Sequence, residues 1–220
     1  MARYLRPRSL PEALAALQAH PGLRILAGGT DVYPALGAAA SQADLLDITG
    51  LTALRDVAHG PDGLRIGALA TWTDLQRADL PACYRALQEA GRELGSPQIQ
   101  NTATVAGNVC NASPAADGTV ALMALGAEVE IAGPAGTRRL PLADFVTGVR
   151  RVALAPAELV TALHLPPLAG RSAFGKLGAR KYLVISIVMV AAHVVPDASG
   201  RIARAAIAKK KEVRSWTPVK

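Results

Sequence analysis

Apolar and polar positions in the first 52 residues alternate as they do in a small unit of strands and helices. Leu10, Leu14 and Leu17 fall on one face of a helix predicted from Ser9 or Leu10 to His20. The segments predicted after it are a strand, a glycine turn, a short helix and a second strand, at Leu23–Leu26, Ala27–Val32, Pro34–Ala39 and Leu45–Ile48. This order is typical of a βαβ-like unit.

After residue 53 the pattern changes to extended runs mixed with helices. The predicted strands are Leu64–Ala68, Glu128–Ala132, Arg138–Leu140 and Glu158–Leu165. The predicted helices are one that Thr71 or Thr73 caps and that ends near Asp79, one at Pro81–Leu94 and one at Ala116–Leu125. Helices mixed with strands that form no regular βαβ series indicate an α+β fold.

Pro166-Pro167 marks a boundary. Beyond it, Ser172–Leu177 and Arg201–Ala208 are predicted strands, whereas the run from residue 182 to residue 195 fits a strand or a helix, and its periodicity does not decide. We therefore predict four regions: an N-terminal subdomain at 1–52, a second subdomain at 53–167, a partial C-terminal lobe at 168–208 and a basic tail at 209–220.

The stretch from Asn101 to Asp117 is polar, small and turn-rich, although helical patterns flank it. We predict a loop that binds a nucleotide. Small residues such as Gly107 leave main-chain N–H groups open to a phosphate, and Pro114 is predicted to fix the first turn of a helix whose dipole favours an anion. Asp117 could accept hydrogen bonds from ribose or ribityl hydroxyls. The short polar side chains of this loop are Thr104, Asn108, Asn111 and Ser113.

Simpler interpretations of these residues stay open. Asp117 could be an acid in the first turn of a helix, stabilised by the helix dipole alone. Asn108 and Asn111 could be residues of Asx turns. Cys110 is predicted to be a small packed side chain rather than a reactive thiol.

A second glycine loop, Ala27–Val32, follows the first predicted strand. Gly28-Gly29 alone is more often a tight turn than a phosphate site. Two loops of this kind in one chain nevertheless suit a pyrophosphate, and together they favour binding.

The net charge of +7 suggests nucleic-acid binding until the charges are located. Residues 201–220 hold seven basic residues and one acid, which leaves +1 for the other 200 residues. Because the body of the chain is nearly neutral, we predict no nucleic-acid partner.

The cysteines and histidines give no metal site. Two cysteines, Cys83 and Cys110, are too few for a disulfide scaffold, a zinc site or an iron–sulfur cluster, and the four histidines share no ligand spacing. The N-terminus lacks a signal-peptide core and the longest apolar run is too short for a membrane span. We therefore expect a cytoplasmic protein.

Four motifs together resemble the FAD-binding, or medium, subunit of molybdenum hydroxylases of the xanthine dehydrogenase, carbon monoxide dehydrogenase and hydroxybenzoyl-CoA reductase group. They are AGGTDV at 27–32, LRIGALAT at 64–71, QNTATVAGNVCNASPAAD at 100–117 and FGKLGARKYLVISIV at 174–188. The resemblance implies a PCMH-type FAD-binding fold of two α/β subdomains and the start of a third, C-terminal lobe.

The resemblance also implies where FAD lies. It places the pyrophosphate against both loops, Asp117 at the ribityl or diphosphate groups, and Leu94, Val160 and Lys176 near the flavin. Ala106 departs from the family, where a second glycine is common. The full set of implied cofactor-binding residues is Leu26, Ala27, Gly28, Gly29, Thr30, Asp31, Val32, Leu94, Thr104, Val105, Ala106, Gly107, Asn108, Asn111, Ser113, Asp117, Val160 and Lys176.

The implied function is electron transfer within a complex, a heterotrimer or its dimer. Substrate would be oxidised at a molybdenum cofactor on a large subunit, and electrons would pass through iron–sulfur clusters on a small subunit. FAD on this chain would give them to an acceptor such as NAD or quinone. No catalytic acid, base or nucleophile is expected on this chain.

The end of the chain departs from the family pattern, because AAIAKKKEVRSWTPVK stands where a longer continuation is usual. We therefore expect a chain shortened at its third lobe. The alternative function is a truncated, non-catalytic remnant or assembly piece that keeps the fold but holds FAD poorly. A standalone flavin oxidase is less favoured, since no histidine or cysteine is placed to link FAD covalently.

Overall fold

The computed structural model describes residues 2–181 and 183–209, and only the backbone of residues 40 and 41. Tyr182 and residues 210–220 of the predicted basic tail lie outside the described residues. The helices are α1 (Leu10–Ala19), α2 (Val32–Leu36), α3 (Trp72–Arg77), α4 (Arg85–Glu93), α5 (Pro97–Gln100), α6 (Val105–Asn111), α7 (Asp117–Ala124) and α8 (Leu142–Phe145). The strands are β1 (Tyr4–Leu5), β2 (Arg24–Leu26), β3 (Leu45–Asp47), β4 (Val57–Gly60), β5 (Gly63–Gly67), β6 (Glu128–Gly133), β7 (Gly136–Pro141), β8 (Val146–Gly148), β9 (Arg151–Val152), β10 (Leu159–Leu165), β11 (Arg171–Leu177), β12 (Val188–Pro196) and β13 (Ile202–Lys209).

The N-terminal unit is a parallel sheet with the strand order β1-β3-β2. Since α2 lies between the parallel neighbours β2 and β3, the predicted βαβ-like unit is confirmed. Asp47, at the end of β3, is buried and accepts hydrogen bonds from the hydroxyl of Tyr4 and from the N–H of Thr49. Burial opposes ionisation of Asp47, but hydrogen bonds from Thr49 and Tyr4 outweigh it and lower the pKa of this carboxyl. The bond from Tyr4 joins the first strand to β3, and the bond from Thr49 fixes the turn that follows β3.

The second unit is an antiparallel sheet with the order β4-β5-β10-β6-β7. The central strand β10 is buried almost throughout, whereas its neighbour β6 alternates, with Val129 and Ile131 buried and Glu128 and Glu130 on the other, less buried face. Thr71 caps α3 with a capping box, so the first of its two predicted caps is the one used. Parallel and antiparallel sheets with separate helices confirm the α+β class.

The third sheet has the order β11-β12-β13 and settles the open choice for the run from residue 182 to residue 195. Its regular part is a strand, with Met189, Ala191 and His193 buried on one face. Three hydrogen bonds join β11 to α4, and one of them is from Lys176 Nζ to the carbonyl oxygen of Glu93. The N–H of Ala86 donates to Ser172 Oγ over 2.9 Å, and the N–H of Phe174 donates to Glu89 Oε2 over 2.8 Å. The predicted C-terminal lobe is thus packed directly on the second unit.

Two helix predictions need correction. The segment predicted as one helix at Pro81–Leu94 begins as a 3₁₀ turn at Ala82–Tyr84 and becomes α-helical at Arg85. The stretch from Asn101 to Asp117 is not simply a loop, because Val105–Asn111 forms α6. Its apolar residues Val105 and Val109 are fully buried, so tertiary packing offsets the poor helix propensity of its glycine and asparagines.

Candidate functional site

The two glycine-containing segments predicted from sequence are in direct contact. A methyl group on Gly28 would overlap the carbonyl oxygen of Thr102 and lie 3.1 Å from Cα of Ala103. Gly29 has φ 72°, which glycine adopts without strain. Gly28 is therefore required for the loops to meet, and part of its role is structural rather than ligand-directed.

The residues of the first loop present free backbone donors. Among the described residues, the amide N–H groups of Gly28, Gly29, Thr30 and Asp31 have no protein acceptor. Successive unbonded amides of this kind form a concave site for an anion. The donors therefore suit a diphosphate better than a cation.

The second segment is built around Thr104, which caps α6. Thr104 Oγ accepts a hydrogen bond from the N–H of Gly107 over 2.9 Å. The next helix, α7, begins at Asp117 after an extended Ala116, so the prediction that Pro114 lies in its first turn is wrong. Asp117 is the first residue of α7.

A cavity of about 490 Å³ lies between the two segments. Fifteen of the predicted site residues line it: Ala27, Gly28, Gly29, Thr30, Asp31, Val32, Leu94, Thr104, Ala106, Gly107, Asn108, Asn111, Ser113, Asp117 and Val160. Leu26 and Val105 are buried behind the cavity wall and do not line it. Lys176 also lies behind the wall. The structure thus brings most of the predicted set together around one space.

Sequence reasoning missed an apolar part of the wall. Its members come from strands, loops and helix ends across the first two units: Ile25, Ile48, Ala68, Ile99, Leu154 and Leu159. Ile25 and Ile48 adjoin the first glycine loop in space because β2 and β3 are neighbours. The strand predictions included Ile25, Ile48, Ala68 and Leu159 but did not show that they face the cavity, and no predicted helix or strand included Ile99 or Leu154.

Lys176 reaches the cavity through Asp117, and we call this contact the inner pair. Lys176 Nζ lies 2.7 Å from Asp117 Oδ2 and donates to the carbonyl oxygen of Glu93 over 3.0 Å. The two side chains are 5% and 8% exposed. The carboxylate that lines the cavity is therefore neutralised from behind by a lysine of β11.

A second acid–base contact lies where the cavity opens, and we call it the rim pair. Arg150 NH1 lies 3.9 Å from Asp31 Oδ1, and both side chains are 56% exposed. The same guanidinium donates to Asn111 Oδ1. Asp31 and Asn111 belong to different segments, so one arginine side chain spans the opening between them.

Asn108 provides an acceptor that the protein leaves unused. Its Oδ1 is buried and has no hydrogen-bond partner among the described residues, although Asn108 lines the cavity. Buried polar atoms without partners are uncommon, because each costs free energy unless a ligand or water satisfies it. This oxygen lies beside Gly118 of α7, 2.9 Å from where a Cβ on that glycine would be, and so belongs to the packing behind the wall.

Cys110 also lines the cavity, but its thiol is unreactive. Burial raises the pKa of the Cys110 thiol to about 12, so the group stays protonated near neutral pH. This agrees with the prediction of a small packed side chain. Across the described ranges no group of histidines, cysteines or acids could hold a metal ion.

The chain is similar to FAD-binding domains and subunits of known proteins. A family model described as "FAD binding domain in molybdopterin dehydrogenase" matches residues 1–168. The chain is 35% identical over 198 residues to the xanthine dehydrogenase FAD-binding subunit of Escherichia coli O157:H7, which covers 87% of this chain and 68% of that protein. It is 33% identical over 205 residues to the carbon monoxide dehydrogenase medium chain of Afipia carboxidovorans, covering 90% and 69% respectively.

Solved structures show the same fold. The match to quinoline 2-oxidoreductase from Pseudomonas putida 86 has a TM-score of 0.86 at 27% identity, covering 95% of this chain and 73% of the other. The match to a Cu,Mo-CO dehydrogenase has a TM-score of 0.88 at 28% identity, covering 99% and 77%. These likenesses confirm the fold that the sequence motifs predicted.

Proposed function

The chain belongs to the family of FAD-binding domains of molybdopterin dehydrogenases, and from this premise we propose that it is the flavin-carrying electron-transfer subunit of a molybdenum-containing dehydrogenase. The observation that carries the proposal is the cavity of about 490 Å³ between the two glycine-containing segments, where free amides and small residues adjoin an apolar wall. A dinucleotide with a flat ring system and a charged diphosphate needs both kinds of surface.

The donor set of this chain fits FAD. The free amides from Gly28 to Asp31 would bind the diphosphate. Leu94 and Val160 would flank the ring system with apolar surface. When bound, FAD supplies the redox chemistry, accepting and donating electrons singly or in pairs.

The residues of this chain then have supporting roles. The apolar wall excludes water and holds the ring in one orientation. Asp117 is fixed by Lys176 and would hold ribityl hydroxyls through its carboxylate, so Lys176 is a positioning residue in this proposal. No proton transfer by a side chain of this chain is required.

We further propose two partner subunits, one with iron–sulfur clusters and one with the molybdenum cofactor. The names of the relatives support this, since one is a "medium chain" and another an "FAD-binding subunit". A solved relative is a carbon monoxide dehydrogenase described with reference to its molybdenum cofactor. Electrons would reach FAD from the clusters and leave to an external acceptor such as NAD or quinone. None of the helices in the described part of the chain is long and apolar enough to cross a membrane.

The test is an absorption spectrum of the purified chain before and after incubation with excess FAD and desalting. We expect flavin bands that survive desalting, and a melting temperature that rises with FAD concentration, because a ligand that binds only the folded state stabilises it. A folded protein that stays colourless and shows no FAD-dependent melting shift would contradict the proposal.

A further inference from the structure

Arg150 occupies a constrained turn beside the cavity. It lies between β8 and β9 with φ 56°, in the left-handed region that non-glycine residues seldom adopt. Its N–H donates over 3.0 Å to the carbonyl oxygen of Ala112, which follows α6 and is itself left-handed with φ 44°. Two strained residues joined by a hydrogen bond hold this turn against the second segment.

This turn orients the guanidinium of Arg150, but the protein does not provide acceptors for all of its N–H donors. It donates to Asn111 Oδ1, whereas its distance of 3.9 Å to Asp31 Oδ1 is too long for a hydrogen bond. Arginine carries five N–H donors. At 56% exposure the side chain is half open to solvent, so donors remain for a ligand at the rim.

The charge of the cavity wall makes this arginine necessary. Among the described residues that line the cavity, the charged ones are Asp31 and Asp117, and both are acids. Lys176 neutralises Asp117 from behind. Asp31 at the rim would repel a diphosphate, and the backbone amides beside it carry only partial charges. Arg150 is the cation that contacts both segments at this point.

We propose that Arg150 supplies the side-chain positive charge for the cofactor's diphosphate and thereby makes the site prefer FAD over riboflavin, which lacks the diphosphate. This inference rests on the proposed function, since it needs a flavin site in this cavity. Arg150 would exchange its long contact with Asp31 for charge-assisted hydrogen bonds to phosphate oxygens, which are stronger than neutral ones. Asn111 would keep the guanidinium at the rim.

The test compares binding of FAD and of riboflavin to the full chain by flavin fluorescence. In Arg150→Gln we expect FAD affinity to fall about tenfold and riboflavin affinity to change less than about twofold, since a hydrogen bond to a charged group is lost only with FAD. The salt dependence of FAD binding should weaken in the same variant. Arg150→Lys should retain part of the FAD affinity because it keeps the charge without the planar donor fork.

Arg151→Gln is the matched control. It removes the same charge one residue away, where the guanidinium packs against Gly148 instead of the rim. FAD affinity should change by less than about twofold in this variant, because an exposed charge away from the ligand is screened by solvent. An equal loss of FAD and riboflavin affinity in Arg150→Gln would mean that Arg150 only organises the loops and would overturn the inference. Unchanged FAD affinity would overturn it as well. Failure of the unmodified chain to bind FAD would instead overturn the proposed function, and the inference with it.

Discussion

The cavity has an acid–base pair at each of two places, and the pairs differ in almost every physical respect. The inner pair, Asp117 and Lys176, is in hydrogen-bond contact at 2.7 Å with both side chains under a tenth exposed. The rim pair, Asp31 and Arg150, is separated by 3.9 Å with both side chains more than half exposed. One pair is closed to solvent and the other is open to it.

Because of this difference in burial, we expect one pair to contribute to stability and the other to ligand binding. Charges in a buried pair have lost their hydration. Removing one partner leaves the other charge buried and uncompensated, which strongly destabilises the folded state. Exposed pairs keep their hydration and contribute little to stability, so their groups remain available to a ligand. We infer that the inner pair holds β11 against α7, while the rim pair tunes the charge that an incoming ligand meets.

Lys176→Met should give the largest effect and break the inner pair. The variant keeps the side-chain volume but leaves the carboxylate of Asp117 buried without its lysine, so we expect about 3–5 kcal/mol less stability. Urea denaturation without FAD measures it. The double variant Lys176→Met with Asp117→Leu should recover much of the loss, because both charges are gone. A single variant within about 0.5 kcal/mol of the unmodified chain would show that the pair behaves like an exposed one.

The sequence predicted the residues of the inner pair better than those of the rim pair. Asp117 was expected at the ribityl or diphosphate groups and Lys176 near the flavin, but no local pattern reveals that residues 59 positions apart form a buried pair. Arg150 was not predicted at all, since an arginine in a polar turn carries no signal in a single sequence. The contacts that orient both cations depend on how strands and helices pack.

The fold was more predictable than the site. Thr71, one of the two predicted caps, does cap its helix, because capping depends on local spacing. The helix Val105–Asn111 was missed because its glycine and asparagines favour turns. Burial of Val105 and Val109 stabilises it nonetheless, and burial is a property of the whole fold. The proposed domain boundaries stay predictions.

Substitution of an uncharged residue of the cavity wall tests the effect of cavity shape on FAD binding without changing the charge. Gly107 lines the cavity, and a Cβ there would lie 2.6 Å from Thr104 Oγ, the atom that caps α6. Gly107→Val should therefore abolish FAD retention after desalting and cost about 1 kcal/mol of stability through the weakened cap. Flavin absorbance and a thermal melt measure the two effects.

The matched control for this variant is Gly60→Val in the exposed strand β4, where a Cβ would meet no atom within 4 Å. It should keep its flavin, because a β-branched residue suits an exposed strand position. If Gly107→Val retained as much FAD as the control, shape at this part of the wall would be irrelevant to binding, and the cavity would be assigned to the wrong ligand.

Asp31→Asn should give the smallest effect and isolate the rim pair. Stability should change by less than about 0.5 kcal/mol, because the pair is exposed and long. FAD affinity should rise about twofold to threefold, since the substitution removes a negative charge that screening by salt only partly hides. Titration with FAD at low and moderate salt measures the change, which should shrink as salt increases. A tenfold loss of affinity would mean that the Asp31 carboxylate accepts a hydrogen bond from the cofactor, and the rim would then bind FAD through its acid as well as its arginine.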